Sequence, residues 1–370
     1  MEHSRGKIGI REYVAIVVLV VGSKLSDDTP SIFVGYLDSA FWMAPILIGI
    51  LSIIPIYFTL TVITSYKNKN LHDMIIHLFG KYFGTLLSIV LILVLTTALI
   101  TDSALYVDII GTMYFSQTPI LFIYLLMMII CAYGAKKGIE QIGTVSWLVF
   151  FYIQFTLILA IILAFNESSP AYIFPILGPG YWEVIKTSTS HVSMFGDFFY
   201  FGLIAPYITS EKAFKKGTWI AFVAVIFYIT FSFLAYLFVF DYEGLKMIDY
   251  PYQELIRLIR LGFLTNIETF FFPFWLIASF IRFSVYLYLI VVFIGGVCNI
   301  KQFEYLAPIL ASIVVIFGMA PEAPSFTIFS MREALLGLAS PLFFFIPSIM
   351  WIIAKLKGDL TYDNKTSKDN

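Results

Sequence analysis

Apolar residues run along this chain in long blocks separated by short polar connections, with neither the alternation of strands nor the half-polar faces of soluble helices. At about 20 apolar residues per membrane crossing, the blocks predict ten spans. The first is an interrupted one over 12–36, followed by 40–65, 83–111, 117–135 and 141–165. The sixth, 191–209, is short, and 217–240, 264–298, 303–320 and 334–356 complete the set. Two segments have an amphipathic pattern instead, 71–80 and 250–262, and are expected to lie along the membrane surface. A longer polar connection, 166–190, carries Pro170, Pro175, Pro179 and Gly180.

The first block is the one that breaks the pattern. Gly22-Ser23-Lys24-Leu25-Ser26-Asp27-Asp28-Thr29-Pro30 sits inside an apolar run. Its glycine, proline and charges interrupt a helix whose freed backbone groups lipid cannot satisfy. A loop after a short first span would account for it more simply, but Tyr13 to Gly22 is only about half the length a crossing needs. The sixth block has the same character, with Ser193, Gly196, Asp197 and Pro206. Interrupted helices at corresponding places in two halves point to an inverted-repeat transporter with a midplane site. The expected fold is an all-α integral membrane protein. It has one transmembrane domain over 1–357, with five-plus-five repeats of about 12–165 and 191–356, and a polar cytoplasmic tail, 358–370.

Composition and charge agree with a membrane chain. It is 60% hydrophobic and 13% charged, against about 25% charged in soluble domains. Arg5, Lys7, Arg11, Lys67, Lys69, Lys81, Lys136, Lys137, Lys212, Lys215, Lys216, Lys301, Lys355, Lys357, Lys365 and Lys368 fall in the segments on one side. The other side holds Lys186, Lys246, Arg257, Arg260 and Arg332. This asymmetry puts both termini in the cytoplasm. The formal net charge of -1 gives no reason to expect nucleic acid. Cys131 and Cys298 have no metal-ligand spacing, and no phosphate loop or nucleophile elbow is present, so neither a cofactor nor an enzyme is expected.

Candidate chemistry concentrates in four spans. Gly22, Ser23 and Ser26 would present backbone groups and half-helix ends to a ligand. Lys24 is expected either to stand in for a bound cation or to pair with Asp102 or Asp197. In the third span Thr101, Asp102 and Leu105 share a face, and Asp108 is placed at the interface. In the eighth, Trp275, Ser279, Arg282, Phe283 and Tyr286 recur on one face, and Arg282 is expected to pair with Asp197 or Asp102, since a midplane arginine needs a partner. The histidines give weak signals: His72 and His77 are expected to be solvated, and His191 sits at the mouth of the sixth span.

Several stretches in order resemble one family. They are Lys7-Ile8-Gly9-Ile10-Arg11-Glu12-Tyr13, then Phe174-Pro175-Ile176-Leu177-Gly178-Pro179-Gly180, then Phe195-Gly196-Asp197-Phe198, Ala205-Pro206-Tyr207 and Phe272-Pro273-Phe274-Trp275. Together they look like the spore-germination B-subunit family, a branch of the amino acid–polyamine–organocation superfamily. The resemblance implies a ligand-sensing, transporter-like subunit of a germinant receptor in the bacterial spore inner membrane. It implies a small-molecule germinant, usually an amino acid and in some members a nucleoside. It also implies a channel-like A subunit and a C-subunit lipoprotein as partners. Family ligand contacts fall here on Gly22, Ser23, Ser26, Asp102, Gly196, Asp197, Ser279, Arg282, Phe283 and Tyr286. The charges Lys24, Asp27 and Asp28 depart from the apolar, small-residue run usual at the first break. A proton-coupled amino acid permease of the same fold is the alternative.

Overall fold

The computed structural model describes residues 7–66, 69–165, 168–259, 268–321 and 324–361. Among them the chain is mostly helical, with no strand and a single isolated bridge between Ile8 and Ile208. Among the described residues seven helices are long and apolar enough to cross a membrane, Thr29–Ser65 counted as one. The remaining expected spans are built from shorter pieces: Ile10–Gly22, Val192–Leu203 and Phe303–Gly318.

The break in the first apolar run is real. Helix α1 (Ile10–Gly22) gives way to a tight turn over Ser23–Leu25, and α2 (Thr29–Leu37) starts with a proline in its first turn, where no backbone donor is missed. A second tight turn, Asp38–Met43, leads into α3 (Ala44–Ser65). Next comes α4 (Leu71–Phe79), started by a reciprocal capping box between Asn70 and Asp73. His72 is not solvated as the sequence pattern predicts. It is buried, with Nδ1 3.0 Å from Ser88 Oγ and its ring edge-on to Phe293. Burial lowers its pKa below the usual imidazole value.

The long helices α5 (Lys81–Ile109), α6 (Ile120–Lys137) and α7 (Ile139–Ala164) match the third to fifth predicted spans. The polar connection holds α8 (Tyr181–Ser190), and past it the chain is irregular. A tight turn, Val192–Phe195, precedes the four-residue α9 (Asp197–Tyr200) and two more tight turns to Tyr207. Then follow α10 (Glu211–Phe240), α11 (Tyr242–Leu245) and α12 (Pro251–Leu258). The set ends with α13 (Glu268–Cys298), α14 (Ala307–Gly318) and α15 (Pro324–Leu356). The start of the eighth predicted span before 268, Arg260, and the tail from 362 lie outside the described residues.

Burial sorts these helices. The apolar stretch of α13 is 83% buried, whereas those of α5, α7 and α15 are 28%, 22% and 28% buried. A helix hydrophobic on every side belongs either in a core or in lipid, and the two groups are these cases. The centre of the molecule is α13 with α1, which packs on α7, α10 and α13. In the outer ring α15 lies on α3 and α5, and α14 on α6.

The connection before the sixth run is docked rather than loose. Ser39 donates to the Pro175 carbonyl, and Gly178, at φ +50, lies so near α2 that a Cβ would run into the Leu37 carbonyl oxygen. Only glycine meets both conditions without strain. Gly178→Ala is therefore expected to destabilise the protein by about 1–3 kcal/mol. A thermal melt in detergent equal to that of the parent protein would remove this docking role.

Candidate functional site

The first break leaves several backbone groups outside helical pairing, and neighbouring elements supply partners. Tyr236 donates to the Leu25 carbonyl at 2.8 Å, Gln253 Nε2 to the Ser26 carbonyl at 3.2 Å, and Tyr106 to the Ser23 carbonyl at 3.3 Å. Trp275 Nε1 donates to Ser26 Oγ at 3.1 Å, and Ser26 Oγ donates in turn to the Ser23 carbonyl. Irregular backbone at membrane depth persists where protein surrounds it in this way. The Gln253 contact also corrects an expectation: α12, predicted to lie on the surface, turns Tyr252, Gln253, Leu255 and Ile256 inward and seals the break.

Below the break lies a buried ionic cluster. Arg282, wholly buried on α13, donates from Nη1 to Asp27 at 3.1 Å, to Ser23 Oγ at 3.0 Å and to Tyr106 at 3.2 Å. Its Nη2 bonds Asp102. Of the two partners expected for Arg282, the structure gives it Asp102, and it adds Asp27. A second arginine completes the cluster. Arg332 of α15 places Nη2 2.6 Å from Asp27 and Nε 3.0 Å from Asp102, with Nη1 against Asp28. Each carboxylate thereby has a cation, the condition for keeping charge buried.

Arg332 is the main residue that sequence reasoning misplaced. Hydropathy rises only after it, which puts it in an outer connection, whereas α15 starts at Pro324 and carries it inward. A proline at the start of a helix was the available signal. Asp108, placed at the interface by sequence, is also buried and accepts from Tyr250. His191 is buried too, with Nδ1 2.9 Å from the Thr187 carbonyl.

The second break meets the first through one ion pair. Lys24 Nζ bonds Asp197, and it donates to the Met194 carbonyl at 2.6 Å. Of the two partners expected for Lys24, the structure gives it Asp197. Tyr286 donates to the other Asp197 oxygen at 2.7 Å. The irregular backbone here is braced by α15: Ser340 Oγ accepts from the Ser193 N–H at 3.0 Å, and Ser193 Oγ donates to the Leu336 carbonyl at 2.6 Å. Gly196 lies between the turn and α9, and a Cβ there would sit 3.0 Å from the Ser193 carbonyl.

The residues singled out from sequence divide between two cavities on different sides of the first break. One, of about 80 Å³, is lined by Lys24, Asp102, Gly196, Asp197, Tyr286 and Arg332, with an apolar wall of Leu91, Leu95, Leu336 and Phe343. The other, of about 50 Å³, is lined by Gly22, Ser23, Ser26 and Ser279, with Tyr106 and Trp275 stacked parallel at 5.0 Å. Arg282 and Phe283 line neither cavity. Arg282 is spent on the cluster, and Phe283 packs edge-on against Tyr106 at 5.1 Å. Ser279 bonds its own helix at the Trp275 carbonyl. The larger cavity thus has ionic groups at one end and an apolar wall at the other, which suits a small molecule with one polar end.

Comparison with known proteins gives two matches. A family model described as spore germination protein covers residues 13–327. Spore germination protein KB of Bacillus subtilis (strain 168) is 25% identical over 295 residues, 78% of this chain and 78% of that protein.

Proposed function

We propose a function from one premise: this chain belongs to the spore germination protein family. It is a multi-pass membrane protein of the permease-like kind. In our reading it is the ligand-sensing subunit of a germinant receptor in the spore inner membrane, with both termini cytoplasmic and two inverted five-helix repeats. It binds a small germinant, an amino acid in the first instance. Binding is passed to a channel-like A subunit and a C-subunit lipoprotein.

The observation that carries this reading is the cavity between the two broken segments. Lys24 of the first is tied there to Asp197 of the second, beside an apolar wall. A ligand that competes for Asp197 would loosen that tie, and with it the packing of α15 on the second break. The coupling is then a change in the buried ion pair that links the two irregular segments, each of which is otherwise braced by its own neighbours.

The test is a thermal-shift screen of the purified chain against the amino acids and common nucleosides. A ligand bound by the native state alone stabilises it by RT ln(1 + [L]/Kd), about 2.7 kcal/mol at a hundredfold excess over Kd. A shift that disappears in a Gly196→Val variant supports the site. Silence from every compound would count against it. The second reading, a proton-coupled amino acid permease, is favoured by the carboxylates Asp102 and Asp197 lining the cavity. Accumulation of labelled amino acid in proteoliposomes carrying this chain alone would move the assignment to it.

A further inference from the structure

The charge state of the ligand follows from the groups around the larger cavity. The inference rests on the reading of that cavity as a ligand site and selects, among amino acids and their amine relatives, those with net positive charge over neutral zwitterions. Beside the cavity three carboxylates, Asp27, Asp28 and Asp102, meet two guanidiniums, Arg282 and Arg332. Lys24 and Asp197 balance each other. With every carboxylate ionised the assembly holds one negative charge more than its cations balance, and Asp28 Oδ2, fully buried, has no hydrogen-bond donor among the described residues.

Both arginines are paired with carboxylates, and Arg282 Nε, fully buried, has no hydrogen-bond partner among the described residues. All three guanidinium nitrogens of Arg332 lie against carboxylates, and Arg282 is committed to Asp27 and Asp102 behind the cavity wall. A carboxylate entering the cavity therefore finds neither arginine free and adds to a charge already in surplus. A cation meets the opposite situation. The polar end already holds one: the Lys24 ammonium, between Asp197 and the Met194 carbonyl. Those acceptors define a seat for an N–H-bearing cation.

We infer that the ligand enters as a monocation. Its ammonium takes the seat on Asp197 and Met194 now held by Lys24, and its apolar part lies along Leu91, Leu336 and Phe343. A ligand carboxylate is not required. The displaced Lys24 ammonium remains beside Asp102, on the same cavity wall, and the assembly reaches electrical balance. One unit of charge at about 6 Å, with an effective dielectric of about 20, corresponds to roughly a hundredfold in affinity. Screening in a hydrated cavity reduces this, and a preference of at least tenfold is expected.

The experiment compares leucine, leucinamide and 4-methylpentanoate, which share one side chain and differ in net charge. The purified full-length chain is titrated with each by thermal shift at about pH 6, below the ~7.7–8.0 range of α-amino groups. Leucinamide is expected to bind at least tenfold more tightly than leucine, and 4-methylpentanoate most weakly. Lys24→Met removes the competing ammonium and is expected to tighten leucinamide at least tenfold, whereas a merely structural lysine would weaken all three ligands. Lys24→Arg keeps a cation on Asp197, protecting the fold if Lys24→Met fails to accumulate. Its guanidinium can make two bonds to a carboxylate, so leucinamide should weaken at least fivefold with its preference over leucine retained. Leucine binding as tightly as leucinamide, or the acid binding more tightly than either, overturns the monocation and leaves the ligand site standing. No shift from any of the three overturns the ligand site and the inference together.

Discussion

Arg282→Met is expected to cost about 3–5 kcal/mol of stability, because removing one member of a buried ionic cluster leaves the others uncompensated. The side chain is fully buried and its bonds reach Ser23, Asp27, Tyr106 and Asp102, so one substitution touches the first break, α5 and α13 at once. Asp102 and Asp27 would then share Arg332 alone. Unfolding in detergent, followed by intrinsic fluorescence, reads the loss. The double variant Arg282→Met with Asp102→Asn removes one charge of each sign and should recover at least half of it. Losses that simply add would show that the two residues are not coupled, and the cluster would no longer explain how the break is held.

The second large effect concerns response rather than folding. Asp197→Asn keeps the shape of the side chain and removes the charge that faces Lys24 and accepts from Tyr286. In spores whose receptor carries this variant, the germinant concentration for half-maximal response should rise at least a hundredfold. Tyr286→Phe deletes one hydrogen bond to the same carboxylate, worth about 1.5–3 kcal/mol when a charged group is involved. It should raise that concentration by roughly ten- to a hundredfold. The ordering of the two variants matters more than either value. A normal response from Asp197→Asn would place the ligand away from the second break, and the smaller, aromatic-walled cavity beside Tyr106 and Trp275 would then become the candidate.

These variants also mark the boundary between what was legible in the chain and what was not. Asp102, Asp197, Arg282 and Lys24 were visible as charges inside apolar runs, and their pairing was narrowed to two partners each. Choosing between the partners required the packing of α13 against the first break. Arg332 was hidden for the opposite reason. It lies in a polar stretch, where a window average sees a loop, and only contacts with Asp27, Asp28 and Asp102 make its burial affordable. His72 was hidden in a related way: helix periodicity says which side a residue is on, not what covers that side.

The sequence by itself determined the all-α membrane class, where the long apolar helices lie and the two places where helices break. These follow from local properties: run length, glycine and proline, and charge inside apolar blocks. Tertiary structure alone decided which carboxylate meets which cation, and divided the candidate residues between two cavities. It also turned α12 inward over the first break and brought Arg332 into the core. The physical reason is that a buried charge is stable only with a partner, and that partner is set by distance in space. The partners here lie 173 to 305 residues apart along the chain.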